Sequence, residues 1–217
     1  MRILIFGAGV IGRIYAARLM TAGHEVSILS RGAATGDLRR DGIHLVREGV
    51  ADIRASPRII ESVLDAGHVD LAFVAVRRDQ LDAALAPLVT LKADAIASFI
   101  NLPLGTDRLA RTIGADRFVP AFPGVGGRLG NQGSVYYVQI AQQATVLGPG
   151  RARPMFASVL RSSGFPINAT QDMNAWLKTH AIFIAAFESA LAAVSGNAQA
   201  LASDGAAVRE LVLSVRE

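Results

Sequence analysis

The chain has 217 residues, 51% of them hydrophobic and 18% charged. That is enough for one large domain or a domain plus part of a second, and too apolar for a disordered or fibrous protein. The absence of cysteine excludes disulfides, thiolate metal sites and cysteine nucleophiles together, and the net charge of +4 comes from scattered arginines, not from a basic stripe of the kind that binds nucleic acid.

Arg2 to Phe6 is a short apolar run bounded by glycine, the pattern of a strand buried on both faces of a parallel sheet. Val10 to Ala22 carries apolar residues at helical spacing, with Gly23 where a left-handed cap would end the helix, and Glu25 to Leu29 reads as a second strand. Together they predict one βαβ unit with a right-handed crossover. Ile43 to Val46 and Val50 to Ile53 flank Gly49 as a small hairpin, expected to decorate the body. Val69 to Val76 is the next buried strand, Gln80 to Leu91 a helix interrupted by Pro87, and Ala95 to Ile100 another strand.

From Arg117 onward Phe118 to Ala121, Ser134 to Ile140 and Ala144 to Leu147 read as strands separated by glycine clusters without full helices between them, so this half of the sheet is expected to be mixed or antiparallel. Pro154 to Ser163 is a helix, Phe165 to Asn168 a last strand, and Gln171 to Ser195 one long helix whose stripe is Met173, Trp176, Leu177, His180, Ile184, Phe187, Leu191 and Val194. A further helix is expected near Gly205 to Val215. The predicted architecture is α/β: a Rossmann-type doubly wound sheet over 1–168, followed by a short all-helical domain over 169–217 that must pack on the body or on another chain. The apolar stretch 181–194 contains Glu188 and falls short of the roughly 20 residues of a bilayer span. No membrane segment is expected, and the expected compartment is the cytoplasm.

Gly7, Ala8, Gly9, Val10, Ile11 and Gly12 form a G-x-G-x-x-G run between a strand and a helix. The first glycine permits a tight turn, the second lets backbone approach a diphosphate, and the third lets helix and strand pack closely, while the helix start aims N–H groups at the anion. A purely structural turn is the alternative. NAD-binding sites place a carboxylate at the end of the second strand, where this chain has Ser30 and Arg31. A guanidinium there suits a 2′-phosphate, which predicts NADP, and the competing reading makes Arg31 a solvated surface residue. Arg77 and Arg78 follow the strand 69–76 at the carboxyl end of the sheet, where either is placed to touch a cofactor phosphate.

A carbonyl reductase also needs a group that polarises the carbonyl and supplies a proton, and Lys178 and His180 are the candidates. Lys178 lies off the stripe, on a face with Ile182, Ala185, Ala186 and Ser189. Periodicity leaves open whether it lines a groove or snorkels to solvent. His180 reads as a satisfied core or interface histidine. The four histidines are dispersed in sequence, so no metal site is expected, and no G-x-S-x-G elbow supports a serine hydrolase.

RILIFGAGVIG at the start, Ser30 and Arg31, VAVRRDQLDAAL over 74–85, Asn101 followed by Gly105, and NAWLKTH over 174–180 together resemble the ketopantoate reductase (2-dehydropantoate 2-reductase) family over almost the whole chain. The glycine turn is common to many dehydrogenases, whereas the W-x-K element at its distance is far more specific. The resemblance implies an NADPH-dependent reductase of a small 2-keto acid, with Arg77 as a basic cofactor contact, Asn101 contacting cofactor and substrate, and Lys178 as the catalytic proton donor. The family's asparagines four and eight residues after the lysine are Ile182 and Ala186 here, which implies a less polar substrate; Gln-Asn-Gly becomes Ile100, Asn101 and Leu102; and the family's later helices, with a serine and a glutamate that hold substrate, lie past Glu217. Leu177, Phe183, Phe187 and Leu191 would then keep apolar surface exposed, and a homodimer through the 171–195 helix is the expected remedy. The other readings are an NADP-binding module without turnover, and another member of the wider hydroxyacid and opine dehydrogenase group.

Overall fold

The computed structural model describes residues 1–130, 133–139 and 142–216 and divides them into two units. The first comprises Met1–Asn101 and Thr106–Met173, and the second Leu102–Gly105 and Asn174–Glu217.

In the first unit, strands β1 (Arg2–Phe6), β2 (Glu25–Leu29), β3 (Ile43–Arg47), β4 (Val50–Ala55), β5 (Arg58–Ile60), β6 (Val69–Val74), β7 (Ala93–Ser98), β8 (Phe118–Phe122), β9 (Gly126–Leu129), β10 (Ser134–Val138), β11 (Thr145–Leu147) and β12 (Ile167–Ala169) form two sheets. Helices α1 (Val10–Thr21), α2 (Ala33–Asp41), α3 (Leu81–Thr90), α4 (Asp107–Ile113) and α5 (Arg153–Ser162) complete it.

The large sheet runs β12-β11-β8-β7-β6-β1-β2-β5. Its six strands from β5 to β8 are all parallel, in the doubly wound order of dinucleotide-binding folds. β11 joins β8 antiparallel and β12 joins β11 parallel, so the far edge is mixed, as the glycine-separated strands predict. β1 is central because Ile3, Leu4, Ile5 and Phe6 are all buried, and both faces of the sheet cover them. The Gly23 cap forms at φ 86°, with Gly23 N–H donating to Met20 O at 2.9 Å and His24 N–H to Leu19 O at 3.1 Å, the paired bonds of a Schellman end.

The second sheet runs β4-β3-β10-β9 and corrects the expectation that the 43–53 hairpin is a decoration. β3 pairs in parallel with β10, Ser134 opposite His44, and all four strands contact α1 on the side away from the large sheet. The sequence alone offers no sign of this, because the pairing partner is 90 residues downstream. His44 ties the strands together, its Nε2 2.7 Å from Asp52 Oδ2 and its Nδ1 3.2 Å from Ser134 Oγ. Enclosed by two sheets, α1 buries Gly12, Arg13, Ile14, Tyr15, Ala16, Ala17 and Leu19 around its circumference and has no polar face.

Between α1, α5 and the large sheet sits an aromatic cluster: Tyr15 stacks on Phe165 at 4.3 Å and lies 4.5 Å from Phe99, and Phe73 meets Phe156 edge-on at 5.1 Å. The Tyr15 hydroxyl is paired with Thr145 Oγ1 at 2.5 Å and accepts the Gly124 N–H at 3.2 Å, and burial pushes its pKa well up.

Other departures have local causes. Pro87 does not interrupt α3, which runs through it because Leu81, Ala84 and Leu88 bury one stripe and a proline removes only one backbone bond. The helices α2 and α4, unanticipated, are short and largely polar, so periodicity barely marks them. β10 ends at Val138, and Ile140 of the predicted strand lies outside the described residues.

In the second unit, α6 (Met173–Ala193) is followed by α7 (Ala198–Ser203) and α8 (Gly205–Arg216). α7 is capped by Asn197 Oδ1, which accepts the N–H groups of Gln199 and Ala200 at 3.0 Å each. The predicted α6 stripe holds: Leu177 is buried and Trp176, His180, Ile184, Phe187, Leu191 and Val194 are half-buried, whereas Lys178, Ile182, Ala185 and Ser189 are exposed. Trp176 and His180 stack at 5.0 Å, and burial lowers the histidine's pKa.

Candidate functional site

The connections after β1 and β6 diverge at the carboxyl end of the large sheet, the switch point at which open α/β sheets bind ligands. A cleft of about 560 Å³ lies there, lined by the glycine turn, the ends of β2 and β6 and the start of α3.

Each glycine of the turn is explained by its surroundings. Gly7 has φ 120°, where side chains are strained, and a Cβ on it would stand 2.7 Å from the Ala75 carbonyl oxygen. On Gly12 a Cβ would overlap the Gly7 carbonyl oxygen, whereas on Gly9 it would meet nothing within 4 Å. The turn is therefore sealed against the sheet at its first and third glycines and open at the second. Gly9 caps α1 without a side chain, and the first turn holds no acidic residue, so the N–H groups of Val10 and Ile11 face an uncapped helix end suited to an anion.

At the end of β2, Ser30 is locked in place: its N–H donates to Ile60 O at 3.0 Å and its Oγ accepts from Thr35 Oγ1 at 3.1 Å. The next residue, Arg31, is exposed on the cleft wall and makes no ion pair or hydrogen bond among the described residues. Arg77 also lines the cleft but is already engaged, its Nε and Nη2 donating to the two Asp79 carboxylate oxygens at 3.0 and 2.6 Å. That fork raises the arginine's pKa and lowers the aspartate's. Gln80 Oε1 accepts the Arg77 N–H at 3.1 Å, fixing the loop that begins α3.

The structure thus brings Gly7, Ala8, Gly9, Ser30, Arg31 and Arg77 together on one cleft. Arg78, beside it, is exposed and opens the 3-10 turn before α3. Val10, Ile11 and Gly12 contribute the helix start behind the turn. Asn101 is not in the cleft lining; it stands beyond β7, half-buried, with its Oδ1 buried and lacking any hydrogen-bond partner among the described residues. Lys178 belongs to the other unit, exposed on α6, with no ion pair or hydrogen bond among the described residues. Sequence reasoning missed Arg13, Asp79 and Gln80. The last two lie two and three residues beyond Arg77, a spacing that would have signalled its pairing.

One cluster was also unforeseen. His68, Asp70 and Asp94, brought together by the β6–β7 pairing, place ligand atoms within 4.8 Å of one another at the opposite end of the sheet from the cleft. Arg2 already supplies a cation there: its guanidinium donates to His68 Nδ1 at 3.2 Å and its N–H to Asp70 Oδ2 at 2.7 Å. Among the described residues no helix is long and apolar enough to cross a membrane.

The family described as ketopantoate reductase PanE/ApbA matches residues 3–152. The chain belongs to the ketopantoate reductase family. A 2-dehydropantoate 2-reductase of Mesorhizobium japonicum is 35% identical over 98 residues, which is 43% of this chain and 29% of that protein, so the aligned stretch spans under a third of the relative's length. Among solved structures, a 2-dehydropantoate 2-reductase of Geobacter metallireducens GS-15 superposes with a TM-score of 0.79 at 20% identity, covering 97% of this chain and 71% of the other. A ternary structure of D-mandelate dehydrogenase with NADH and anilino(oxo)acetate superposes with a TM-score of 0.81 at 17% identity, covering 97% and 70%. At those identities the two structures bear on the fold. The ketopantoate reductase fold combines a Rossmann-type sheet domain with a helical C-terminal domain, and this chain likewise carries a Rossmann-type sheet unit followed by helices.

Proposed function

We propose that this chain is an NADPH-dependent reductase of a small 2-keto acid. The observation that carries the proposal is the exposed Arg31 guanidinium at the end of β2, without an ion pair or hydrogen bond among the described residues, beside a glycine turn that is open at Gly9 and continues into an uncapped helix. The α1 amides and the helix dipole hold a diphosphate. Arg31 holds a 2′-phosphate, a role that a carboxylate in its place would oppose. Arg77, neutralised by Asp79, forms wall more than charge. Asn101 offers its buried Oδ1, unpaired among the described residues, to a donor on cofactor or substrate. A reduced nicotinamide, when bound, would supply the hydride for the keto carbon. By the family resemblance, Lys178 Nζ hydrogen-bonds to the keto oxygen and gives it a proton as charge develops there. Ile182 and Ala186, near Lys178 on α6, favour a substrate less polar than ketopantoate.

The same reading includes a homodimer through α6, supported by Ile182 and Phe183, which are 58% and 44% exposed. Sedimentation velocity at micromolar concentration is expected to show a dimer, and a clean monomer removes that part of the proposal. The chemistry is tested by titrating NADPH and NADH, then following absorbance at 340 nm, where reduced nicotinamide absorbs, with a panel of 2-keto acids that includes ketopantoate. NADPH-preferring binding with turnover is the expected result. A second reading, an NADP-binding module without turnover, is favoured by one observation: Lys178 lies outside the unit that carries the cleft. Tight NADPH binding with no keto acid reduced would establish it.

A further inference from the structure

Arg13 stands in the first turn of α1, directly after the last glycine of the nucleotide turn, and lines the cleft although only 4% exposed. Its Nε donates to Ala8 O at 2.9 Å and its Nη1 to Gly133 O at 3.4 Å, leaving Nη2 without an acceptor among the described residues. Other arginines that reach into the body are more fully used. Arg18 donates to Gln139 Oε1 and Ser163 O, both at 2.9 Å, and lies over the Phe165 ring, while Arg117 donates to the carbonyls of Ile113, Leu91 and Ala93. The carboxylate that acts on Arg13 is Asp37 on α2, yet Asp37 is hydrogen-bonded to Arg40 at 3.0 Å. Burial outweighs that attraction and pushes the Arg13 pKa down, so the charge is under-compensated where it stands.

We infer that Arg13 is a second phosphate-binding residue of the cleft, holding the adenosine 2′-phosphate of the cofactor together with Arg31. The inference rests on the NADPH reading above. Arg13 lines the same cleft as Ser30, Arg31 and Ala34, while the α1 amides already serve the diphosphate. A phosphomonoester there supplies the missing anion, and Arg13 is held ready for it by Ala8 and Gly133, so little side-chain entropy is lost on binding. NADH lacks that phosphate and leaves the buried guanidinium uncompensated. Discrimination between the two cofactors therefore comes from inside the fold as well as from the surface arginine.

The test is calorimetric titration of wild type, Arg13→Met and Arg13→Lys with NADPH, NADH, adenosine 2′,5′-bisphosphate and 5′-AMP. For Arg13→Met, affinity for the two 2′-phosphorylated ligands is expected to fall about tenfold to a hundredfold, the loss of a charge-assisted hydrogen bond, with NADH and 5′-AMP within about twofold. NADH binding in the same variant reports that the site is still folded. Arg13→Lys keeps the buried charge but loses the planar fork, and its preference for 2′-phosphorylated ligands falls by roughly threefold to tenfold. Equal losses for all four ligands would assign Arg13 to packing or to the diphosphate and overturn the inference. So would an unchanged preference in Arg13→Lys, even if the Met variant does not fold. Wild-type preference for NADPH that persists in both variants overturns the Arg13 assignment alone. Wild-type protein that binds neither nucleotide overturns the cofactor reading as well.

Discussion

Two apolar helices of this chain meet opposite fates. α1 is enclosed by sheets on both sides and buries Ile14, Tyr15, Ala16, Ala17 and Leu19 completely, whereas α6 covers one stripe and leaves Ile182 and Phe183 in solvent. Helical periodicity marks both, so periodicity does not report how much of a helix is covered. What encloses α1 is a sheet assembled from strands far apart in sequence. The difference also separates two kinds of candidate residue. The glycine turn is packed at Gly7 and Gly12 and open at Gly9, while Lys178 stands on an exposed face of α6.

The sharpest way to probe this contrast is at Lys178. Lys178→Ala is expected to reduce keto acid turnover by about 10²–10⁴, the usual size of a general acid contribution, with NADPH affinity and melting temperature unchanged. A parallel loss of stability would show that the face is covered after all. Tyr15→Ala should destabilise the fold by about 3–5 kcal/mol in denaturant titration, because it empties the aromatic cluster and removes the hydroxyl bonded to both Thr145 Oγ1 and the Gly124 N–H, which keep only their bond to each other, whereas Ile182→Ala should cost less than about 0.5 kcal/mol. Similar costs for the two would erase the distinction between the helices.

Within the turn itself, Gly12→Ala is expected to lower stability by roughly 1–3 kcal/mol because its Cβ meets the Gly7 carbonyl. Gly9→Ala should fold normally and lose about tenfold or more in nucleotide affinity, because its Cβ projects only into the space a diphosphate needs. Thermal unfolding and titration of the two proteins separate the packing glycine from the binding glycine.

The smallest expected effect is at His24, which follows the Gly23 cap of α1. Burial, and secondarily the positive N-terminus, hold its pKa below the ordinary value, and its Nε2 has no hydrogen-bond partner among the described residues. The unfolded chain therefore binds more protons as pH falls below about 6.5, and the stability present above that pH declines toward the depressed folded pKa. The melting temperature should drop by on the order of a degree between pH 7.5 and 5.5, and His24→Gln should flatten that part of the curve.

The βαβ unit at the start was legible because each signal in it is local: a two-sided apolar strand, three glycines with three separate duties, and a capped helix. The same holds for the α6 stripe. The β3–β10 pairing was not, since nothing in Ile43–Arg47 states which strand will lie beside it. The segment Leu102–Gly105, grouped with the helical unit though only three residues separate it from the end of β7, was invisible for the same reason. Arg13 was overlooked because an arginine on a helix start reads as a surface residue, whereas here it is buried and donates to the Ala8 and Gly133 carbonyls. Arg31 and Lys178 were singled out in the sequence by residue type and position, and that neither makes an ion pair or hydrogen bond among the described residues is something only the structure displays.

The small sheet also sets the order in which the chain acquires its structure. β1, α1 and β2 are near neighbours and can assemble early, but the outer side of α1 stays bare until Ser134 reaches His44, 90 residues later. At ribosomal rates that wait is roughly 5 to 20 s, a period in which one apolar flank of the nucleotide helix is open to chaperones or to another nascent copy. The high contact order of that pairing places its closure among the last and slowest events of folding.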